Sequence, residues 1–297
     1  MNRILFLLLV FAVSSLQAQF DKVVIKVDTI SQKMYMLTGR GGNIGIYLGQ
    51  DRVFMIDDQY APLGEKIQNT LSSLTDKPIS YLFNTHMHGD HSGGNINFNG
   101  EETTLIAHDK VRDRLITNGT QQVEEGKMSS GDYKKLLPEI TFADQMTFFE
   151  ADEKVMAFHV HDAHTDGDTM IYFVTENVLH MGDTYFAGNY PFIDLNSGGS
   201  LDGYIAAHEK AQLVIDDKTV IIPGHGLLSN KKELKIYTDM LKDIRSIVQK
   251  EIDAGKTLEQ VKADTDLLAK YDGDYGTWFI NPERMRETAY RSLTAKN

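Results

Sequence analysis

The chain reads as an α/β protein in which two sheets pack face to face with helices outside. Two successions of short apolar strands are each followed by helical stretches, and no run rich in Pro, Gly or Ser marks off a second independent domain. The metal-capable side chains fall where apolar runs end, which gathers their loops along one edge of such a sandwich.

The elements follow in order. Met1 to Ala18 carries Arg3, an apolar run from Ile4 to Val13 and then SSLQA, the layout of a secretory signal cleaved between Ala18 and Gln19. The run is shorter than the roughly 20 residues needed to span a bilayer. Val23 to Val27, Met34 to Leu37, Ile44 to Leu48 and Val53 to Ile56 read as strands, with turns at Gly39-Arg40-Gly41-Gly42 and Gly49-Gln50-Asp51. Pro62 to Leu74 reads as a helix and Ile79 to Phe83 as a buried strand. Asp109 to Leu137 is helical and polar, and strands resume from Ile140 to Val174 and on to Leu179. Ser200 caps a helix to about Val214, and Val220 to Ile222 is the last strand before the chain changes character.

Beyond Leu228 the pattern is helical. Asn230 with Glu233 makes a capping-box-like start, and Leu234, Tyr237, Leu241, Ile244, Val248 and Ile252 recur at three- and four-residue steps. Gly255 ends that helix, Thr257 with Gln260 begins another, and Asn281-Pro282-Glu283 starts the last. The expected organisation is a signal over residues 1–18, a catalytic domain over 19–228, and C-terminal helices over 229–297 that pack on the same domain or on another subunit.

The 297 residues hold 30 Lys and Arg against 42 Asp and Glu, a net charge of −12, and no cysteine. An acidic surface disfavours nucleic acid and anionic lipid, so the expected partner is a small-molecule substrate, with no stable membrane association once the signal is removed. A homo-oligomer is compatible with the composition. Without cysteine there is no disulfide, no lipoprotein anchor and no Cys-ligated metal. The expected location is periplasmic or extracellular.

Between Asn84 and Gly94 the chain reads NTHMHGDHSGG, placing His86, His88, Asp90 and His91 directly after an apolar run. Gly89 and Gly93-Gly94 allow a tight loop that enters a helix. On it, His86 and His88 can converge on one ion while Asp90 and His91 turn toward a neighbouring point, so the motif looks like halves of two sites. Further donors stand beside glycines near strand ends: His164 in DAHTDGDT, Asp183 in HMGDTYF, and His225 in IIPGHG. His159 and His161 compete with His164, whereas His108, His180 and His208 receive no role. Ser92 reads as a helix-start residue rather than a nucleophile.

The series THMHGDH, AHTDGD, MGDTYF and PGHG resembles the metallo-β-lactamase superfamily, which includes class B β-lactamases, glyoxalase II and lactonases, over roughly residues 35 to 228. The resemblance implies an αββα sandwich and prefers His164 over its neighbours. It implies that His86, His88 and His164 bind one metal and that Asp90, His91 and His225 bind a second. Asp183 would bridge the two with a water or hydroxide. Asp90 and Asp183 are the expected catalytic carboxylates and two Zn²⁺ ions the expected cofactors, with iron or manganese compatible. Asp57 resembles the aspartate this superfamily places beneath the site, where it could hold ligand loops or orient an imidazole; the alternative is an ordinary strand-ending residue.

The implied activity is hydrolysis of a lactone, ester, thioester or cyclic amide by metal-activated water. An iron-dependent oxidoreductase on the same scaffold and a protein that binds without turnover are the alternatives. From Thr184 to Ser200 there is no Lys or Arg to hold an anion. Tyr185, Phe186, Tyr190 and Phe192 in that stretch either line a groove for an apolar or neutral substrate or pack the loop. Arg40 is the nearest alternative anion contact.

Overall fold

The computed structural model describes residues 19–295; the expected signal sequence lies outside them. The first sheet contains β1 (Lys26–Thr29), β2 (Met34–Thr38), β3 (Ile44–Leu48), β4 (Val53–Ile56), β5 (Ile79–Phe83), β6 (Thr104–His108) and β7 (Ile140–Phe142), neighbours in that order. Pairing is antiparallel from β1 to β4 and parallel from β4 to β7. The second sheet contains β8 (Gln145–Glu150), β9 (Glu153–His159), β10 (Thr169–Phe173), β11 (Val178–Phe186), β12 (Val220–His225) and the short β13 (Ser229–Asn230), again in sequence order.

Three apolar layers hold these sheets together. Between them lie Phe54, Phe83, Ile171 and Phe173 among others. Tyr47 and Phe173 approach across the interface with ring centroids 5.1 Å apart. Outside the first sheet, Ile67 and Leu71 from α1 (Gly64–Ser72) pack on Leu37, Ile46 and Leu82. Outside the second, the helices Leu201–Val214, Lys231–Asp253 and Pro282–Thr294 bring Tyr204, Tyr237, Leu241 and Met285 into one cluster with Leu179 and Ile221. The result is the expected αββα sandwich with a C-terminal helical extension.

The helix starts read from sequence carry working caps. Asn230 Oδ1 accepts the Glu233 N–H at 3.0 Å, and Asn281 Oδ1 accepts that of Arg284 at 2.9 Å. Thr257 and Gln260 form a reciprocal capping box.

Other boundaries differ. The first strand begins at Lys26 rather than Val23, because the Val23 N–H turns back to the Phe20 carbonyl at 3.0 Å. The polar helical region divides into Asp109–Glu124 and Ser130–Leu136 at Gly126, whose φ of 68° no helix continues. The strand at Val178-Leu179 does not stop there but runs on to Phe186 through register shifts on either side of Gly182. Among the described residues, no helix is long and apolar enough to cross a membrane.

Phe54 sits against Tyr47, Tyr81, Phe83 and Phe173 in the inter-sheet layer. Phe54→Ala is expected to destabilise the fold by about 3–5 kcal/mol, read as a lowered urea midpoint at unchanged slope.

Candidate metal centre

All seven donors meet at one rim of the sandwich. His86, His88, His164 and Asp183 each offer a donor atom within 4.8 Å of the others, and Asp90, His91 and His225 do the same. Asp183 joins the groups by facing one oxygen to each. Its Oδ2 lies 3.7 Å from His86 Nε2 and 3.5 Å from His164 Nε2. Its Oδ1 lies 2.9 Å from His91 Nε2 and 3.4 Å from His225 Nε2.

Different elements deliver each donor. His86 and His88 leave the end of β5, and Asp90 and His91 sit in the four-residue helix Gly89–Ser92. His164 lies in the irregular connection from β9 to β10. There the Asp168 carboxylate accepts the His164 and Thr165 backbone N–H groups at 2.7 and 2.8 Å and the Thr165 hydroxyl at 2.6 Å. His225 ends β12. Asp183 is not beyond a strand end, as its sequence context suggested, but inside β11 at the irregularity around Gly182. Gly182 has φ 52°, and a Cβ there would fall 2.6 Å from Thr85 Oγ1.

The hydrogen bonds fix which ring nitrogen faces the site. The Thr85 hydroxyl donates its one proton to Asp57 Oδ2 at 2.7 Å, so Thr85 Oγ1 accepts from His86 Nδ1–H at 3.0 Å. His86 Nε2 therefore carries its lone pair into the site. By the same reasoning, His164 Nδ1–H donates to the Phe192 carbonyl at 2.7 Å, and His88 Nε2–H donates to Asp194 Oδ2 at 3.2 Å. The nitrogens left facing inward, His164 Nε2 and His88 Nδ1, are 2.8 Å apart. Two lone pairs at that separation repel unless a cation or a proton lies between them.

Two buried atoms in the cluster lack a well-aligned hydrogen bond: His86 Nε2, and Asp183 Oδ1, which meets His91 Nε2 at 2.9 Å only as an ion pair. Leaving such groups unsatisfied costs on the order of 1–3 kcal/mol each, and a coordinated ion removes that cost. The donor set of imidazole nitrogen and carboxylate oxygen suits a borderline divalent metal such as zinc.

Asp57 supports both halves of the cluster. Its Oδ1 accepts the Thr85 backbone N–H at 2.7 Å and its Oδ2 accepts His91 Nδ1–H at 2.7 Å, so of the two roles open to it, it takes the one the family resemblance implied: it holds the loop that carries His86 and orients the His91 imidazole. It does so from φ 61°, a conformation a non-glycine residue rarely adopts.

Charge divides the two groups. Burial draws His86 well below the usual histidine range, with the nearby His91 adding to it, and burial lowers His164 to about 4. Both are neutral donors at pH 7. Burial also acts against charge on His91 and His225, but Asp183 and its neighbouring carboxylates outweigh it. They lift His91 well above its ordinary value and His225 to about 9. Asp183 itself would be raised by burial, yet His91, His225 and His86 hold it well below the usual carboxylate range.

Of the other histidines, His161 is exposed and meets the His159 ring, while the remaining four are held by structural contacts. His180 Nε2 contacts the Asn43 carbonyl at 3.1 Å and His208 Nε2 the Thr184 carbonyl at 2.6 Å. His159 stacks on His108 with ring centroids 3.9 Å apart and bonds the Asp168 carbonyl, away from the seven donors. Ser92 is not a helix-start residue: it closes its short helix, and its hydroxyl donates to the Met87 and His88 carbonyls at 3.1 Å.

A cavity of about 520 Å³ opens onto Asp90, Asp183, His88 and His225. The four loop aromatics divide between the two roles they were offered. Phe186, itself buried, and Phe192 line this cavity, whereas the buried Tyr185 and Tyr190 do not and bond Ser229 and Asp272. The C-terminal extension was expected only to pack, but its Trp278 and Phe279 also form cavity wall.

Several residues that matter here escaped the sequence reading. Asp194 orients His88, Asp168 shapes the His164 loop, and the Tyr204 hydroxyl donates to the Asp183 carbonyl at 2.9 Å. Asp168 stands inside the quoted AHTDGD motif and could have been singled out; Asp194 and Tyr204 carried no comparable signal. Gly42 is a further case, since a Cβ at that position would lie 2.0 Å from His91 Cε1.

An αββα sandwich whose rim gathers two histidine groups around a shared aspartate defines a class of metal-binding protein. Residues 37–225 match the family described as the Metallo-beta-lactamase superfamily, and the chain belongs to it. A hydroxyacylglutathione hydrolase of Nitrosococcus oceani is 30% identical over 161 residues, covering 51% of this chain and 50% of its own length. The match thus spans about half of that relative. An uncharacterized Mycobacterium leprae protein is 41% identical over 64 residues, covering 21% of this chain and 29% of its own.

Solved structures give the same architecture. A metallo-beta-lactamase from Pontibacter korlensis aligns with TM-score 0.58 at 18% identity, over 73% of this chain and 99% of that one. The stereoselective inverting sec-alkylsulfatase Pisa1 of a Pseudomonas species aligns with TM-score 0.69 at 15% identity, over 91% of this chain and 50% of that one. At these identities the likeness is one of fold.

Two outcomes follow. Asp57→Asn is expected to weaken metal affinity roughly 10- to 100-fold, with the loss concentrated on the His91 side, measured by competition with a chromogenic chelator. Because His225 in the metal-free protein is protonated below about 9, zinc binding at pH 7 is expected to release protons, on the order of two per chain when His91 is counted. Calorimetry in two buffers of different ionisation enthalpy checks this, and the release should shrink as pH rises toward that value.

Proposed function

We propose that this protein is an exported hydrolase that uses a pair of zinc ions to cleave a lactone, ester, thioester or cyclic amide. The observation that carries this reading is the arrangement of Asp183, one oxygen facing each histidine group, at the wall of an open cavity. His86, His88 and His164 would hold one ion, Asp90, His91 and His225 the other, with Asp183 shared. Bound there, such ions supply Lewis acidity and bring the pKa of water from about 15.7 to near 7.

The protein's own groups then have separable tasks. Asp90 Oδ2, 3.3 Å from His225 Nε2 and facing the cavity, can accept a hydrogen bond from the attacking water and orient it. Asp57 and Asp194 hold the imidazoles through their remote nitrogens, so the donor atoms need not reorganise as charge develops. Ser92 is committed to two backbone carbonyls, which supports direct attack by water rather than an acylated side chain. The Nitrosococcus oceani relative named as a hydroxyacylglutathione hydrolase also supports hydrolysis. In this reading residues 19–228 supply the ligands, and residues 229–297 supply part of the cavity wall.

Elemental analysis of protein purified without added metal should find about two zinc ions per chain. One iron with oxygen consumption would overturn the proposal. Asp90→Ala is expected to lower turnover of a homoserine lactone, a chromogenic cephalosporin or a thioester, whichever is cleaved, by roughly 100-fold or more. Equal rates in variant and parent would remove the role given to Asp90.

A further inference from the structure

The walls of the metal cavity differ sharply in chemistry. The lining includes Phe186, Phe192, Trp278 and Phe279, which contact one another: Phe192 to Phe279 at 5.7 Å and Trp278 to Phe279 at 6.2 Å edge to face, and Phe186 to Trp278 at 6.0 Å with tilted rings. Trp278 and Phe279 remain 48% and 53% exposed. Large aromatic surfaces left open beside a polar centre mark a place where an apolar group of a ligand is desolvated.

Among the residues that line this cavity Arg40 is the one Lys or Arg, in a chain of net charge −12; the Arg284 guanidinium lies 4.9 Å over the Phe279 ring but is not part of the lining. Among the described residues the Arg40 guanidinium meets no carboxylate. Its partners are the neutral Gln19 Oε1 at 2.9 Å and the Phe20 ring at 5.6 Å. The turn that carries it is tied to the metal-ligand loops on both sides. The Gly42 N–H donates to the Asp90 carbonyl at 3.0 Å, the Asn43 N–H to the Gly224 carbonyl at 2.7 Å, and Gln59 Nε2 to the Gly42 carbonyl at 2.7 Å. Arg40 thus projects from a pinned support.

We infer that the substrate is an amphipathic organic anion: an aryl or comparably bulky apolar group lies against Trp278 and Phe279, and an anionic group remote from the scissile bond pairs with Arg40. A guanidinium favours carboxylate, sulfonate and sulfate through paired N–H donors, and at a half-open rim such a contact contributes selectivity more than raw affinity. The cavity volume of about 520 Å³ suits a small molecule of this kind and not a polymer. This inference rests on the hydrolase reading for its substrate but not for its binding surface.

The test uses the one tryptophan of the chain, Trp278, as its reporter. Metal-loaded protein is titrated with phenylbutanesulfonate, phenylbutanol and butanesulfonate while Trp278 emission is followed; sulfonate is chosen because it is a poor zinc ligand. The doubly equipped probe should bind roughly tenfold or more tightly than either partial one. Its advantage over phenylbutanol should vanish in Arg40→Met and return in part in Arg40→Lys. Its advantage over butanesulfonate should shrink in Phe279→Ala, with far-UV circular dichroism and melting temperature showing that each variant is folded. Equal affinities for the three probes in the parent, or an undiminished preference in Arg40→Met, would overturn the inference.

Repeating the titration on chelator-treated protein separates the two readings. A preserved Arg40-dependent preference in a protein that cleaves no ester, lactone or thioester leaves the binding inference standing and sinks the hydrolase. Cleavage without that preference does the reverse.

Discussion

The buried carboxylate of Asp183 is the constraint on which the rest of the site turns. A carboxylate removed from water loses several kcal/mol of solvation unless positive charge or donors replace it. Here the replacement comes from imidazoles on both sides. In the metal-free protein two of them, His91 and His225, hold protons at neutral pH because Asp183, Asp57 and Asp90 surround them. Protons therefore stand where cations would. The same geometry that makes the metal-free cluster tolerable also makes it a competitor for metal, and the exchange of one kind of positive charge for another couples loading to pH.

The backbone is shaped around that carboxylate. Gly182 takes a left-handed conformation that lets β11 shift register, which turns Asp183 toward the histidines while Tyr204 fastens its carbonyl from the helix behind. Gly224 on the neighbouring strand leaves the required space, since a Cβ there would lie 2.1 Å from Asp183 Oδ1. Four of the candidate donor imidazoles have a fixed partner at the remote nitrogen: Thr85 for His86, Asp194 for His88, Asp57 for His91 and the Phe192 carbonyl for His164. The donor atoms are thus set before any ligand arrives, and the strain at Asp57 is part of the same arrangement.

How far the sequence disclosed this depends on the range of the interaction. The His86 to His91 motif and His225 were legible because they stand close behind apolar runs, whereas His164 was preferred over His159 and His161 through the motif that carries the family resemblance. The helix caps at Asn230, Thr257 and Asn281 were legible because capping is a three-residue interaction. Asp183 was singled out as a candidate donor, which the structure brings into the cluster, but it was placed beyond a strand that in fact continues through it, since a bulge leaves no mark in local periodicity. Asp194 and Tyr204 act across 106 and 21 residues of sequence, and nothing in their immediate neighbours distinguishes them from any Asp before a turn or any Tyr on an apolar helix face.

The aromatic wall shows the same limit more sharply. Tyr185, Phe186, Tyr190 and Phe192 form one cluster in sequence, and Tyr185 and Phe186 both join the outer core, yet alternation along β11 brings only Phe186 of the two to the cavity as well. Tyr190 and Phe192 then separate because the Tyr190 hydroxyl is drawn to Asp272 while Phe192 offers its carbonyl to His164. Trp278 and Phe279, nearly ninety residues on, complete the surface that these two divisions leave open. The C-terminal helices pack their apolar faces on the second sheet for stability, and the segment between them is thereby carried to the metal rim. The extension that buries the outer core also shapes what can approach Asp183. The packing of the outer core and the shape of the cavity wall therefore share one element of this chain.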